Sequence, residues 1–381
     1  MASQSSRLVS LDAFRGATIA GMIMVNNPGT WEHVYPQLRH AAWHGWTFTD
    51  FIFPFFLWIV GVAMTFSFAR RVEEGADTRK LLLHVVRRAA IIFALGLFLN
   101  GFPFGLIGDR EFALATFRIP GVLQRIAICY LIVGALLLYT GVRAQVRWLV
   151  GLLAAYWLAM KLIPVPGYGA GVLEPMGNLV WFIDSKLLAG HTWVYAPAAG
   201  FDPEGVFSTI PAIGTALFGV LTGHWLRSGR PREELAGWMF VAGNCLLLLG
   251  AVLDMGLPIN KNLWTSSYAI FMAGWALVCF GTMYWLMDVK KMQGWAKPFV
   301  VYGMNAIAIY VFAGILARLL YLFTVTTAGG QVITWKDWMM QTVFFPIASP
   351  LNASLLFAIC FVLVTYLVAW ILWKNKIFIR V

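Results

Sequence analysis

The sequence predicts an all-α integral membrane protein of about ten transmembrane helices with both termini cytoplasmic. Three observations predict it. Of 381 residues, 60% are hydrophobic and 12% charged, and the mean hydropathy is +0.75. A soluble domain carries about 25% charged residues, so this chain lacks the charge to cover a wetted surface. The apolar residues also fall into blocks that approach the ~20 residues needed to cross a hydrocarbon core of ~30 Å. In lipid such blocks must be helices, because an isolated strand leaves its backbone groups unpaired. Finally, Lys and Arg concentrate in alternate loops, where orientation signals belong.

The blocks follow one another in order. The first, 9–27, contains Asp12 and Arg15 and ends at the turn-forming run Asn26-Asn27-Pro28-Gly29. No small-residue cleavage site closes it, so a retained first helix is expected rather than a signal peptide. The second, 48–69, opens beside Asp50 and Pro54 and ends at Arg70-Arg71. The third, 84–102, stops at Pro103, and the fourth, 121–140, follows Arg118-Ile-Pro120-Gly121. Pro164-Val-Pro166-Gly167 ends the fifth, 146–163. Asp202-Pro203-Glu204-Gly205 reads as a turn and N-cap ahead of the sixth, 207–226. The seventh, 235–254, gives way to a loop with Pro258, and Asn260-Lys261-Asn262-Leu263-Trp264 leads into the eighth, 265–288. The ninth and tenth are 296–322 and, after Pro350, 353–374. No repeat and no soluble domain is left over, so residues 1–381 read as a single transmembrane domain.

Counting loops alternately places 18 Lys and Arg on one side and six on the other: Arg39, Arg110, Arg118, Lys186, Lys261 and Lys336. Every loop of the first side is basic, so that side is expected to be the cytoplasm. The net charge of +11 sits in short loops between apolar blocks, which argues against a nucleic-acid partner. The four cysteines lie inside apolar blocks with no Cys-x-x-Cys or Cys/His ligand spacing, so neither a zinc site nor a disulfide framework is expected. The long loops, rich in Trp, His, Asn and Pro, fall on the outer side.

Polar groups in and beside spans need a reason, since an intramembrane charge costs roughly 2.5–3.5 kcal/mol on insertion scales. Asp12 and Arg15, three apart, share a helix face. They read either as a packing ion pair or as an anion-holding Arg15. The first outer loop carries His33, His40 and His44, half of the six histidines, and Asp50 follows. Histidine is the commonest general base, and His40 at a membrane boundary fits that role or a plain interfacial one. Metal ligation by His40 and His44 lacks an evident third ligand. Arg118, Gln124 and Arg125 put two cations and an amide at the outer boundary. Asn260, Lys261 and Asn262 beside Trp264 suit sugar hydroxyls, a phosphate or an interfacial anchor. Asn305 is a further buried polar candidate, and Trp43 could stack on a sugar ring.

Taken together, these segments resemble the heparan-α-glucosaminide N-acetyltransferase family and its bacterial relatives, within the transmembrane acyltransferase superfamily. The resemblance rests on Ser10-Leu-Asp12-Ala-Phe-Arg15-Gly16, Val25-Asn26, His40-Ala-Ala-Trp43-His44-Gly45 leading to Asp50-Phe-Ile-Phe-Pro54, Arg118-Ile-Pro-Gly-Val-Leu-Gln124-Arg125, Asp202-Pro-Glu204-Gly205, Asn260-Lys-Asn-Leu-Trp264 and Gly303-Met-Asn305, in family order. It implies a membrane enzyme that moves acetyl from cytoplasmic acetyl-CoA to the amine of glucosamine or a terminal glucosaminide on the periplasmic side of a bacterial inner membrane. It matches the catalytic histidine to His40 and the active-site asparagine to Asn26. Position 44 is His where the family pattern expects Asn.

On that basis His40 is expected to act as base or acetyl carrier. Asn26 is expected to donate to the oxyanion, and Asp50 to orient His40. Arg15, Arg118, Gln124, Arg125 and Lys261 are candidates to hold acetyl-CoA, the co-substrate. Trp43, His44, Asp202, Glu204, Asn260, Asn262, Trp264 and Asn305 are candidates for the sugar, with membrane lipid around the chain and no metal. The oligomeric state is left open, with a homodimer as one form. Two other readings of the same scaffold stay open: an amino-sugar transporter or permease, and a glycan O-acetyltransferase.

Overall fold

The computed structural model describes residues 8–73, 75–107 and 112–379. Arg7, Arg110 and Arg380, which enter the charge count, lie outside the described residues. The chain is a bundle of helices, in order α1 Val9–Asn26, α2 Thr49–Glu73, α3 Thr78–Gly101, α4 Val122–Tyr139, α5 Val142–Leu162, α6 Leu179–Leu188, α7 Thr209–Leu226, α8 Arg232–Asp254, α9 Ser266–Tyr284, α10 Lys297–Met304, α11 Ala306–Leu322, α12 Trp335–Met339 and α13 Pro350–Lys374. A two-stranded antiparallel hairpin, β1 Thr324–Thr326 and β2 Val332–Thr334, pairs Val325 with Ile333.

Helix starts follow local chemistry. Asp77 caps α3 by accepting from Arg79 N, and Asn178 caps α6 by accepting from Trp181 N. Thr265 and Thr334 do the same for α9 and α12. Proline opens α13, where its missing N–H costs nothing. Pro54 sits inside α2 and cannot bond the carbonyl of Asp50 four residues earlier. The Tyr268 hydroxyl of α9 supplies the missing donor, at 2.6 Å from Asp50 O. The same residue whose carboxylate enters the site is thereby tied to α9 through its backbone.

Seven helices among the described residues are long and apolar enough to cross a membrane, and the α10–α11 pair makes an eighth if it is one span. The chain is thus an all-α, multi-pass membrane protein. α1 and α5 lie where the other two spans are expected but fall short of that length and apolarity; their apolar runs are diluted by Asp12 and Arg15, and by Arg143, Arg147 and Lys161. The expected continuous helix 296–322 is corrected: it breaks at Asn305 with a bend of 74°. Asn305 leaves helical backbone at φ −125° and ψ 35°. Its amide donates to Ile377 O at 3.0 Å and its Oδ1 accepts from Ile379 N at 2.8 Å. A tertiary bond to the C-terminal tail thus replaces a helical turn. α9 likewise widens into a π-helical turn, Trp285–Val289, at its end.

α1, α2, α4, α7 and α9 form the centre of the bundle. α2 and α7 approach through small residues, the usual device where lipid supplies no hydrophobic drive between helices. A Cβ on Gly219 would lie 1.9 Å from Trp58 O, and one on Gly61 would lie 2.0 Å from Ala216 O. Because a backbone oxygen cannot swing aside, Gly219→Ala is expected to destabilise the fold by about 1–3 kcal/mol. Thermal unfolding in detergent checks this, and an unchanged midpoint would mean that α2 and α7 do not pack this closely.

Candidate active site

The loop between α1 and α2 folds around one carboxylate. Asp50, in the first turn of α2, is fully buried. Its Oδ2 accepts from Ala41 N at 3.0 Å, Thr47 N at 2.9 Å and Thr47 Oγ1 at 3.1 Å. Thr47 Oγ1 in turn bonds Arg39 O at 2.5 Å, which closes residues 39–47 into a compact loop. The remaining oxygen, Oδ1, lies 2.6 Å from His40 Nδ1. An ionised carboxylate only accepts, so Nδ1 carries the proton and Nε2 presents its lone pair. The opposite wall is the loop between α8 and α9. Lys261 Nζ stands 3.2 Å from His40 Nε2. Asn260 Nδ2 meets His44 Nδ1 at 3.3 Å, and Gly45 N donates to Ile259 O at 2.7 Å. Asn260 also uses Oδ1 to hold Leu263 N, so it stiffens the loop that presents Lys261.

His40 keeps 44% of its side-chain surface accessible on one side. Elsewhere protein crowds it, and that desolvation, with the Lys261 charge, holds its pKa below the ordinary 6.5 against the pull of Asp50 and Glu204. The neutral, proton-accepting form therefore dominates at neutral pH.

The third part of the site is the segment 202–208. Arg118 grips Asp202 with two parallel bonds, Nε to Oδ2 at 2.8 Å and Nη2 to Oδ1 at 2.7 Å, and reaches Glu204 Oε2 at 2.7 Å. Burial lowers the pKa of Arg118, but the two carboxylates outweigh it and raise it above its ordinary value. Burial likewise pushes Glu204 up, and Arg118, Lys261 and Arg125 together hold it below the usual carboxylate range. Asp184 of α6 supports this segment from beneath by accepting from Val206 N and Phe207 N. A Cβ at Gly205 would fall 1.7 Å from Asp184 Oδ2, so no side chain fits there. Burial raises the Asp184 pKa to about 6.

Several expected ligand contacts fall elsewhere. Arg125 is fully buried; it bonds Gly205 O at 3.1 Å and Ser208 Oγ, and its guanidinium lies 5.1 Å from the Trp264 ring. It braces the 202–208 segment from inside, out of reach of a CoA phosphate. Trp264 is fully buried with Nε1 on Thr215 Oγ1, so it offers no face for stacking on a sugar. Arg118 spends its charge on two carboxylates rather than on a phosphate. Arg15 bonds Asp12 and Gly303 O near the opposite end of α1. It stands eleven residues before Asn26, roughly 16 Å along the helix axis. Asn305, tied to the tail, belongs to that far end as well. Trp43 is half-buried, edge-on to Phe201 at 5.6 Å, with Nε1 on Leu173 O. Asn262 lies half-buried beside Lys261.

Asn26 and Gln124 face a neighbouring space. Asn26, Asn100, Arg118, Gln124, Tyr310 and Arg318 line a cavity of about 240 Å³ between α1, α3, α4 and α11. The Gln124 Nε2 is buried there without a hydrogen-bond partner. Arg118 links this cavity to the His40 cluster: it lines the one and holds the carboxylates of the other. Sequence reasoning did not single out Tyr268 or Asp184. Pro54, which orphans the Asp50 carbonyl, is the signal that could have called for a donor such as Tyr268. A lone acid in the apolar run Leu179–Leu188 is the signal for Asp184.

A family model described as heparan-alpha-glucosaminide N-acetyltransferase, catalytic, matches residues 7–251. That range holds Asn26, His40, Asp50, Arg118 and Glu204. The mouse heparan-alpha-glucosaminide N-acetyltransferase is 30% identical over 358 residues, covering 81% of this chain and 53% of its own length. The human protein of the same name is 30% identical over 354 residues, covering 80% of this chain and 52% of its own. The chain thus spans about half the length of these curated relatives. With the catalytic family model matched across all but the last third of the chain, and with the His40–Asp50 pair inside the match, the chain belongs to the heparan-alpha-glucosaminide N-acetyltransferase family.

Proposed function

We propose that this chain is a transmembrane acetyltransferase that moves acetyl from cytoplasmic acetyl-CoA to the amine of glucosamine or a terminal glucosaminide on the periplasmic side of a bacterial inner membrane. The observation that carries this reading is the His40 imidazole, held by a buried carboxylate at Nδ1 and kept neutral with a basic Nε2. Family membership supplies the reaction class. Acyl transfer to an amine needs three things: an amine without its extra proton, an acceptor for the second proton, and a donor for the carbonyl oxygen as it gains charge. His40 Nε2 takes the proton from the attacking amine and returns it to the departing thiolate. Asn26, in the cavity wall with Arg118, is the oxyanion donor in this scheme. Glu204, held by Arg118, is the carboxylate of this segment whose charge acts on both His40 and Lys261. The polar cavity of about 240 Å³ offers a space for the thioester arm of the donor.

The purified chain with acetyl-CoA and glucosamine is expected to release N-acetylglucosamine and free thiol in equal amounts. Mass spectrometry distinguishes the amide from an ester, which would instead favour glycan O-acetylation. Proteoliposomes separate the remaining alternative: glucosamine flux that needs no acetyl-CoA would replace this reading with transport.

A further inference from the structure

We propose that Lys261 is an internal acceptor: when donor thioester is bound and no amino sugar is present, its ε-amine takes the acetyl group and the site silences itself. The proposal rests on the acetyl-transfer reading above and extends it to a modification site. Its basis is position. The proton acceptor of the reaction is His40 Nε2, and the acceptor amine must come within hydrogen-bond reach of it. In this structure a primary amine already stands there, with Lys261 Nζ 3.2 Å from Nε2. The loop that carries it is held by the Asn260–His44 and Gly45–Ile259 contacts, which fix where the Lys261 side chain starts, across from His40. Glu204 and Asp50 act on the Lys261 amine, and the same two carboxylates act on His40, so base and amine share one charge environment. The side chain thus imitates the substrate in chemistry, in charge environment and in its contact with the base. Burial lowers the pKa of its ammonium, which eases loss of the first proton. A tethered amine in this geometry competes at an effective concentration far above that of free sugar.

The step balances without a further reagent. The ammonium gives one proton to solvent. The nitrogen lone pair then forms the N–C bond to the thioester carbonyl carbon. The C–S bond breaks with its electron pair on sulfur, and His40 Nε2 carries the second proton from nitrogen to the thiolate. Lysine ammonium and acetyl thioester become acetyl-lysine, free thiol and one proton. If acetyl first rests on Nε2, the adjacent amine attacks it there and the product is the same. The acetyl-lysine has lost its charge and fills the position that the sugar amine needs.

The test incubates the purified chain with acetyl-CoA in the absence of sugar and maps the added acetyl mass by peptide mass spectrometry. The exposed Lys80 and Lys291 report background chemical acetylation. Lys261 is expected to acetylate at least ~10-fold faster than either. Glucosamine at about ten times its KM leaves about a tenth of the sites open and should slow the modification about tenfold. The label should resist hydroxylamine, as an amide does and an acetyl-imidazole does not. In His40→Ala the Lys261 rate should fall to that of Lys80. Turnover of glucosamine, measured on the same sample, keeps the two ideas apart. If the protein acetylates glucosamine while Lys261 stays at background, self-acetylation is wrong and the transferase reading stands. If Lys261 is modified equally fast in His40→Ala, the site does not catalyse it and the proposal falls. If neither glucosamine nor Lys261 is acetylated, both fall together.

Discussion

His40→Ala is expected to lower acetyl transfer to glucosamine by at least ~10² and up to ~10⁴, the range that a positioned general base supplies. The loss should appear in kcat with little change in fold, because the His40 side chain is 44% accessible on one side and its removal opens no closed core. Asp50 would keep its three contacts from Ala41 and Thr47 and go on shaping the loop. A folded His40→Ala protein with near-normal turnover would remove the imidazole from the mechanism. The pH dependence gives an independent check, with a sign fixed by the environment. A base must be neutral to act, so kcat/KM rises with pH through the pKa of His40 in the free protein and then levels. Crowding and the Lys261 cation put that rise below the ordinary histidine value. Removing the cation in Lys261→Met deletes a lowering influence, so the rise should move to higher pH. The comparison is a difference between two proteins on one substrate, so titration of the substrate amine cancels. A profile that moves to lower pH, or not at all, would mean that Lys261 does not act on His40.

How much of this was legible in the residues depends on how far apart the interacting groups lie. Helices are announced by long apolar runs between Pro, Gly and basic loops. A cap such as Asn178 or Thr265 can be found from the same short window. His40 and Asp50 are ten residues apart and share one loop and one helix start, so their proximity is a local matter. The break at Asn305 is different: residues 296–322 read as one apolar helix, and the cause of the bend is a tail 72 to 74 residues away. The partner of His40 Nε2 is 221 residues distant, and no pattern near Lys261 points to an imidazole rather than a phosphate. Arg118 and Arg125 show the same limit from the other side. A cation at a membrane boundary looks free until the fold reveals what it faces. Arg118 faces two carboxylates 84 and 86 residues on, and Arg125 a carbonyl, a hydroxyl and an indole. Trp264 reads as a sugar contact or an interfacial anchor from its place beside Asn260, Lys261 and Asn262, yet its ring is sealed in the core. Residue type identifies what chemistry a position can do; long-range packing decides whether the position is open to a ligand.

Asp50→Asn tests the electrostatic design with almost no change of shape, and turnover is expected to fall by as much as ~10⁴, the loss seen when a catalytic histidine is held in the wrong tautomer. Asp50 Oδ2 accepts from two backbone N–H groups, the Thr47 hydroxyl beside them divides its one proton between Oδ2 and Arg39 O, and Oδ1 faces His40 Nδ1. A carboxamide has one oxygen and one NH₂. The half-buried backbone N–H groups of Ala41 and Thr47 have no other acceptor among the described residues, and leaving them unpaired costs about 1–3 kcal/mol each. The amide oxygen therefore turns toward them, and the NH₂ is left facing Nδ1. A donor facing Nδ1 requires Nδ1 to accept, so the ring proton moves to Nε2, where the base must have its lone pair. Nε2–H would also meet the Lys261 ammonium donor to donor, which pushes Lys261 away. Asp50 acts through the ring and touches no reacting atom, so its signature is spectroscopic as well as kinetic. Nitrogen-15 NMR of labelled histidine should report a protonated Nδ1 in the parent protein and a protonated Nε2 in Asp50→Asn, with the thermal midpoint changed far less than the rate. If Asp50→Asn keeps turnover within ~10-fold of the parent, or if its His40 retains the Nδ1 proton while activity collapses, then the carboxylate is not setting the tautomer and its role is confined to closing the loop.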